Sequence, residues 1–404
     1  MAGLRQGRVI GPQIAVLWAY VIALSVSVLL SFTTGAAFRP GVTGALLIGV
    51  AVGLAAVQGL RGWALAGLAV ALAIALGFTP VGVIRFGDGT GAGLKLLAGG
   101  LFGLSLGLPL SWMMAGCPAG ALTRHEFEEA EIRFLTGFGY IFFTAIVAIP
   151  FYVMVMTSLK SQGELIANPL DFTIDLSQGW GLFRSYVELF RDFNFGSYLW
   201  TSFYVSVLTV LITLAFSIPG AYAIARLKFR GQKPMSRSIL LIYMVPMIVL
   251  ALPIYIAFSM LGLRNSILGI VMIYPVTTIP VSLYMLQGYF RGLPAEIEEA
   301  GLMDGLSRLK VIWKITLPLS LPALASVSLY VFMIAWNEFL LAFMLLDDPS
   351  RFTLTRGVAM LNSSEVPRQH LMAGAVIATV PVMALFLGLE KFMTRGLTAG
   401  SVKG

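Results

Sequence analysis

The chain has 404 residues and a formal net charge of +8; 58% of its residues are hydrophobic and only 11% are charged. Soluble domains usually carry about a quarter charged residues, so this composition indicates an all-α integral membrane protein. The bases are not gathered into aromatic-interleaved patches, which argues against nucleic acid as a partner. A single cysteine (Cys117) excludes an internal disulfide, and two histidines (His125 and His370) argue against histidine metal sites and histidine catalysis.

Apolar stretches in chain order predict about ten membrane crossings, because a helix needs roughly 20 apolar residues to cross the hydrocarbon core. The stretches are 14–31, 41–60, 63–84, 94–115, 136–157, 199–222, 238–259, 266–286, 319–346 and 373–393. The first resembles a signal peptide, but its apolar run exceeds the usual about 7–15 residues, so we expect it to be retained as a helix.

The predicted crossings divide into two groups near residue 125. Residues 1–125 are expected to form an N-terminal extension of about four crossings whose role the sequence does not indicate. Residues 126–135 read as a short charged cytoplasmic linker, and residues 136–404 as a domain of six crossings with longer loops.

Glycines in the extension repeat at four-residue spacing, at Gly49 and Gly53 and again at Gly99, Gly103 and Gly107. This small-xxx-small pattern predicts close helix packing, either inside one bundle or against a partner protein.

The basic residues predict the orientation of the chain. The loop 224–237 carries five bases and no acid, and most of the 27 bases fall in inner loops if the N-terminus is inside. Ten crossings put both termini on one side. The positive-inside rule therefore predicts that both termini are cytoplasmic.

A charged loop, "EEAGLMDGLSRLKVIWKITLP" (298–318), interrupts the apolar sequence. Pro294 is well placed to open a helix, and Gly305 can take the left-handed conformation that ends one. Ser307 can cap a second helix. One face of that helix would carry Leu309, Ile312, Trp313 and Thr316. The loop 288–318 is thus predicted to form two short helices on the cytoplasmic face, and one interpretation is a hairpin resting on lipid headgroups.

The spacing within this loop resembles the EAA loop of ABC-transporter permeases. The matching residues are Glu299, Ala300, Gly301, Gly305, Ile315, Leu317 and Pro318. Gly301 replaces the second alanine of the motif, which weakens the helix by about 1 kcal/mol but still permits close packing. In such permeases the EAA loop is the coupling helix that sits in a cleft of the ATPase.

Three further segments narrow the resemblance: "TSLKSQGEL" (157–165), "AWNEFLLAFMLL" (335–346) and the C-terminal sequence ending "GLTAGSVKG" (370–404). Residues 134–404 look like the smaller permease subunit of maltose-type carbohydrate importers. The resemblance implies a six-helix permease core in a bacterial cytoplasmic (inner) membrane. It also implies four kinds of partner: a second homologous permease, two ATPase subunits, an extracytoplasmic sugar-binding protein and membrane lipid.

The resemblance also implies how the chemistry is divided. ATP and Mg would be used by the ATPase subunits and no cofactor by this chain, which lacks a G-x-x-x-x-G-K-[ST] phosphate loop. The tail Gly396–Gly404 would reach toward the ATPase dimer. The transported sugar would be an oligosaccharide or α-glucoside.

These expectations assign two sets of residues. The ATPase-coupling set is Glu298, Glu299, Ala300, Gly301, Asp304, Gly305, Ile315, Leu317 and Pro318. The substrate-pathway set is Tyr274, Thr277, Thr278, Ser282, Asn337 and Glu338. Prolines near the first four pathway residues predict kinked helices, which tend to line cavities; ordinary kinked packing is the alternative interpretation. An acid such as Glu338 inside a span usually faces a cavity or a partner, or makes a structural hydrogen bond.

Two other functions compete with the permease. A membrane-embedded enzyme such as a lipid-linked glycosyltransferase needs clustered acids or histidines at a membrane face, and Asp171 with Asp175 is only a weak candidate pair. A facilitator working without ATP is the other alternative, and the charged loop argues against it.

Overall fold

The structure is a computed structural model that describes residues 6–87, 89–168, 171–239, 241, 245–363 and 365–398, the last ten by backbone only. The described chain is mainly helical, and it divides into two compact units, Met1–Gly179 and Trp180–Gly404. The all-α class predicted from the sequence is confirmed. The division falls about fifty residues beyond the boundary predicted near residue 125.

The first unit contains six α-helices and a small β-ribbon among its described residues. The helices are α1 (Gly7–Thr34), α2 (Val42–Val57), α3 (Gly62–Gly77), α4 (Ala92–Met113), α5 (Arg124–Ser158) and α6 (Gln162–Ala167); the strands are β1 (Phe38–Pro40) and β2 (Ile84–Phe86). The strands pair antiparallel, with Phe38 opposite Phe86. Sequence patterns did not predict this ribbon, because each strand has only three residues.

The spaced glycines of the extension pack helices together inside this unit. A Cβ on Gly103 of α4 would lie 2.4 Å from the Cα of Val70 on α3, and one on Gly49 of α2 would lie 2.6 Å from the Cα of Val16 on α1. Backbones this close leave no room for a side chain. The small-residue pattern is therefore explained by packing within one bundle.

Residues 126–135 do not form a separate linker, which corrects the sequence interpretation. They are the first turns of α5, whose N-terminus is closed by a capping box between Thr123 and Glu126. Pairs between Arg124 and Glu128, and between Arg133 and Glu129, support the same turns at four-residue spacing. At 35 residues α5 is roughly 50 Å long, so it extends beyond a hydrocarbon core of about 30 Å.

The loop after α5 is attached to the end of α1. The Tyr152 hydroxyl donates to the carbonyl oxygens of Phe32 (3.1 Å) and Phe172 (3.2 Å). The hydroxyl and amide of Thr173, followed by the buried Lys160 ammonium at 3.0 Å, lower the pKa of Asp171 to about 2. Asp171 therefore stabilises this loop.

The second unit contains the remaining described α-helices. They are α7 (Arg184–Asp192), α8 (Phe195–Arg226), α9 (Gln232–Ser238), α10 (Met247–Met260), α11 (Ile267–Gly292), α12 (Ala295–Met303), α13 (Arg308–Val311), α14 (Leu317–Leu319), α15 (Leu321–Asn337), α16 (Leu340–Leu345), α17 (Leu354–Met360) and α18 (Arg368–Thr398). A π-helical turn, Ile312–Thr316, joins α13 to α14. Helices α8, α11 and α15 form the centre of this unit, with α18 against α15.

Each predicted crossing contains a described helix, although residues 240 and 242–244 of the crossing 238–259 lie outside the described residues. Among the described residues six helices are long and apolar enough to cross a membrane, and a bent pair, Arg308–Leu319 with Leu321–Asn337, provides a seventh. The predicted crossings 41–60, 63–84 and 238–259 correspond to the shorter apolar helices α2, α3 and α10.

A stripe of buried small polar residues follows one face of α8, and it includes Ser202, Ser206, Thr209, Thr213 and Ser217. The Ser202 hydroxyl accepts from the Leu354 amide of α17, while Thr213 and Ser217 contact α11. The hydroxyls of Thr213 and Thr278 lie 2.7 Å apart across the contact. Small side chains allow the two helices to approach closely, and hydrogen bonds fix their register.

Candidate functional site

The charged loop forms two short helices joined by a tight turn, as the sequence predicts. Helix α12 begins directly after Pro294 and ends at Met303. Gly305 follows with φ 81°, the left-handed conformation that favours glycine. The Ser307 hydroxyl then accepts from the Lys310 amide and caps the next helix.

Gly301 holds the two helices of the loop in contact. A Cβ at this position would lie 2.5 Å from Cδ1 of Ile315. The glycine that replaces the motif's second alanine therefore provides the space that Ile315 fills. Alanine here would require Ile315 to shift.

Glu298 is the centre of a buried polar cluster that attaches α12 to the rest of the unit. Its carboxylate lies 3.4 Å from Nε of Arg226 and accepts hydrogen bonds from the hydroxyls of Tyr222 (3.1 Å) and Thr316 (3.0 Å). Only 11% of the Glu298 side chain and 12% of the Arg226 side chain are exposed. Arg226 also donates to the Leu293 carbonyl oxygen at 2.7 Å. We call Glu298, Arg226, Tyr222 and Thr316 the anchor cluster.

The two neighbouring glutamates of the predicted ATPase-coupling set have different surroundings. Glu298 faces inward and Glu299 faces solvent. Tyr222, Arg226 and Thr316 were not singled out as functional residues. The available signal was three-residue spacing, which places Glu298 and Gly301 on the same helix face.

Four exposed residues form the outward end of the loop, which we call the tip: Glu299, Ala300, Met303 and Asp304. Of these, Met303 is 88% exposed. The tip thus combines an apolar side chain with two carboxylates on a compact turn. The anchor cluster joins α12, which carries this tip, to α8 through Arg226 and Tyr222.

The pathway candidates differ in burial and in hydrogen bonding. Tyr274, Thr278 and Ser282 are buried against neighbouring helices, and the Ser282 hydroxyl donates to the Thr278 carbonyl oxygen. Thr277 is partly exposed and donates to the Tyr274 carbonyl oxygen. Asn337 is exposed on its own helix.

Glu338 lies at a break between two helices and not within a continuous span. Helix α15 ends at Asn337, and the Glu338 carboxylate accepts from the backbone amides of Leu341 (2.9 Å) and Ala342 (3.1 Å). It therefore caps the first turn of α16. The Tyr274 hydroxyl is buried and faces this carboxylate without the geometry of a formed hydrogen bond.

This geometry predicts a graded response at position 338. Glu338→Ala removes both acceptors and should cost about 1 kcal/mol, as loss of a helix cap does. Glu338→Gln keeps one acceptor and should lose less. Melting curves of the purified complex check this order. Equal stability of Glu338→Ala and wild type would mean that the cap contributes nothing.

The C-terminal tail, Gly396–Gly404, lies mostly outside the described residues. Its first three residues continue the backbone of α18, and the expectation that the tail reaches an ATPase dimer stays a prediction.

Comparison with known proteins shows which proteins this chain is similar to. The model for "Binding-protein-dependent transport system inner membrane component" matches residues 217–398, which include the anchor cluster and the tip. The inner membrane ABC transporter permease protein YcjP of Escherichia coli (strain K12) is 38% identical over 269 residues, covering 66% of this chain and 95% of that protein. The trehalose/maltose transport system permease protein MalG of Thermococcus litoralis is 33% identical, covering 69% of this chain and 99% of that protein.

A solved structure shares the fold. A chain of a bacterial ABC transporter involved in the import of the acidic polysaccharide alginate superposes with a TM-score of 0.56 at 22% identity, covering 67% of this chain and 98% of that one. About a third of this chain therefore has no counterpart in these proteins. The chain belongs to the ABC-transporter permeases of the binding-protein-dependent transport system inner membrane component family.

Proposed function

We propose that this chain is a permease subunit of an ATP-driven sugar importer, and that the loop around α12 couples it to an ATPase. The observation that carries the proposal is the contrast within α12. Glu298 is buried in the anchor cluster, while Glu299, Met303 and Asp304 are presented outward. One side of the helix is fixed to the membrane domain and the other is free to receive a soluble partner.

Family membership makes the chain a multi-pass inner membrane protein of an importer that also has an ATPase and a substrate-binding protein. We further propose that the importer contains a second homologous permease and two ATPase subunits that use ATP and Mg. We also propose that both termini of this chain are cytoplasmic. In this arrangement closure of the ATPase pair moves α12. The anchor cluster passes that movement to α8, and the spans alternate between inward and outward access.

The names of two relatives support the proposed substrate class. MalG of Thermococcus litoralis is named for trehalose and maltose, and SugB of Mycobacterium tuberculosis for trehalose. An oligosaccharide or α-glucoside fits both names. Thr277 and Asn337 are the pathway candidates that we retain from the polar set, because neither is fully buried and the Glu338 carboxylate is already bound by backbone amides. The relatives are permeases, which disfavours a lipid-linked glycosyltransferase.

Reversing the charge at the tip tests the coupling proposal. Glu299→Lys should insert normally, because the side chain is exposed and surface substitutions usually change stability by less than about 0.5 kcal/mol. A like-charge clash at the interface should cost several kcal/mol of association. We therefore expect loss of the ATPase subunit during detergent purification, with a parallel loss of transport.

Glu131→Lys is the matched control, since Glu131 is also exposed but lies near the start of α5. It should retain the ATPase. A charge reversal on the ATPase surface should restore binding to the Glu299→Lys complex. If that complex keeps its ATPase and its transport rate, the coupling assignment of this residue is wrong.

A further inference from the structure

The segment after the tip is a helical arm set almost at a right angle to a membrane span. Arg308–Leu319 is bent by 79° from α15, Leu321–Asn337, with Ser320 between them. The arm comprises α13, the π-helical turn and α14, and its twelve residues are roughly 18 Å long. If α15 crosses the membrane, the arm runs along the membrane surface where that span begins.

The arm has two distinct faces. Val311 and Thr316 are buried and Ile315 packs on Gly301, so one face belongs to the protein. The opposite face leaves Leu309 and Trp313 each 67% exposed. Large apolar side chains exposed side by side on a surface helix mark a candidate contact with a partner or a membrane.

The charge of the arm indicates the chemistry of that partner. Arg308, Lys310 and Lys314 are exposed beside Leu309 and Trp313. The sequence has no acid from Gly305 to Asn337. A basic helix with tryptophan and leucine on its apolar face is the pattern of helices that lie in a membrane interface rich in anionic lipid.

We propose that the arm binds the surface of an anionic phospholipid leaflet. Leu309 and Trp313 enter the boundary between headgroups and acyl chains, and Arg308, Lys310 and Lys314 pair with lipid phosphates. The exposed apolar side chains continue along the chain to Leu319 and Leu321, where α15 begins, which favours lipid over a soluble partner. The loop thus has two partners: the tip meets the ATPase and the arm meets lipid. The arm's contact does not depend on the coupling proposal.

Fluorescence quenching by lipid tests the arm directly. In a Cys117→Ser background, Leu309→Cys and Met303→Cys are each labelled with bimane, and the full transporter is placed in nanodiscs containing phosphatidylglycerol and a doxyl-labelled lipid. We expect quenching at position 309 to exceed quenching at position 303 severalfold. In phosphatidylcholine alone the excess should shrink.

Matched charge variants test whether the bases of the arm, and not basic residues elsewhere in the chain, bind the anionic lipid. A triple Gln variant of Arg308, Lys310 and Lys314 should remove the dependence of quenching on phosphatidylglycerol. A triple Gln variant of Lys228, Arg230 and Lys233, which are also exposed, should retain it. Equal quenching at positions 309 and 303, equal quenching in both lipids, or protection of position 309 by the ATPase subunit would overturn the proposal, the last identifying the ATPase as the arm's partner.

Discussion

Glu298→Ala should abolish the stimulation of ATPase activity by sugar-loaded binding protein while leaving the spans inserted. The substitution leaves Arg226 largely buried without its counter-ion and removes the acceptor for the hydroxyls of Tyr222 and Thr316. Breaking a buried ion pair costs about 3–5 kcal/mol, and we expect the lower end because Arg226 keeps its bond to the Leu293 carbonyl oxygen. The loop would then move without moving α8. Stimulated and basal ATPase rates of the reconstituted complex measure this.

Conservative variants test whether the anchor cluster transmits movement or is needed only for folding. Tyr222→Phe removes one hydrogen bond to the carboxylate, worth about 1 kcal/mol, and should lower stimulation only slightly. Glu298→Gln keeps a hydrogen-bond acceptor and should fall between Tyr222→Phe and Glu298→Ala. Stimulation at the wild-type level in Glu298→Ala would show that the anchor cluster does not transmit movement.

Deletion of residues 1–125 should lower the yield of assembled complex strongly but preserve coupling in the complexes that form. Helix α5 loses its partners: Arg133 donates to the carbonyl oxygens of Trp112 and Ala115, and Tyr152 donates to that of Phe32. Each lost hydrogen bond costs about 1 kcal/mol. The anchor cluster and the tip lie outside the deleted segment, so the mechanism proposed above retains all its residues.

Tyr152→Phe is the mild counterpart of the deletion. It removes the hydroxyl that binds the end of α1 and should lower thermal stability slightly without changing transport. Yield, melting temperature and sugar-stimulated ATPase rate per assembled complex are the measurements. A well-assembled truncated complex without stimulation would show that the extension takes part in the mechanism.

Local sequence signals predicted the loop well. Pro294, Gly305 and Ser307 mark helix boundaries through backbone preferences that act over a few residues, and each boundary lies where it was expected. The division of roles between Glu298 and Glu299 was not predicted. The partner that decides it, Arg226, is distant in the chain, and neighbouring glutamates carry the same chemistry.

The break between α15 and α16 at Glu338 could not be predicted from composition. Residues 335–346 contain no proline or glycine, so they read as one continuous span. The Glu338 carboxylate is unusual in such a span, but its binding to the amides of Leu341 and Ala342 depends on tertiary geometry. The polar stripe of α8 is visible at helical spacing and indicates a contact with another helix, but it does not identify α11 as the partner.

Photo-crosslinking from the tip tests the central claim most directly. Met303→Cys in the Cys117→Ser background is labelled with a benzophenone maleimide and irradiated in the assembled transporter. The account predicts a covalent product of this chain and the ATPase subunit, and far less of it from Leu309→Cys, six residues along on the arm. A labelled, exposed position 303 that crosslinks to no ATPase subunit would contradict the claim that this loop couples the permease to its motor.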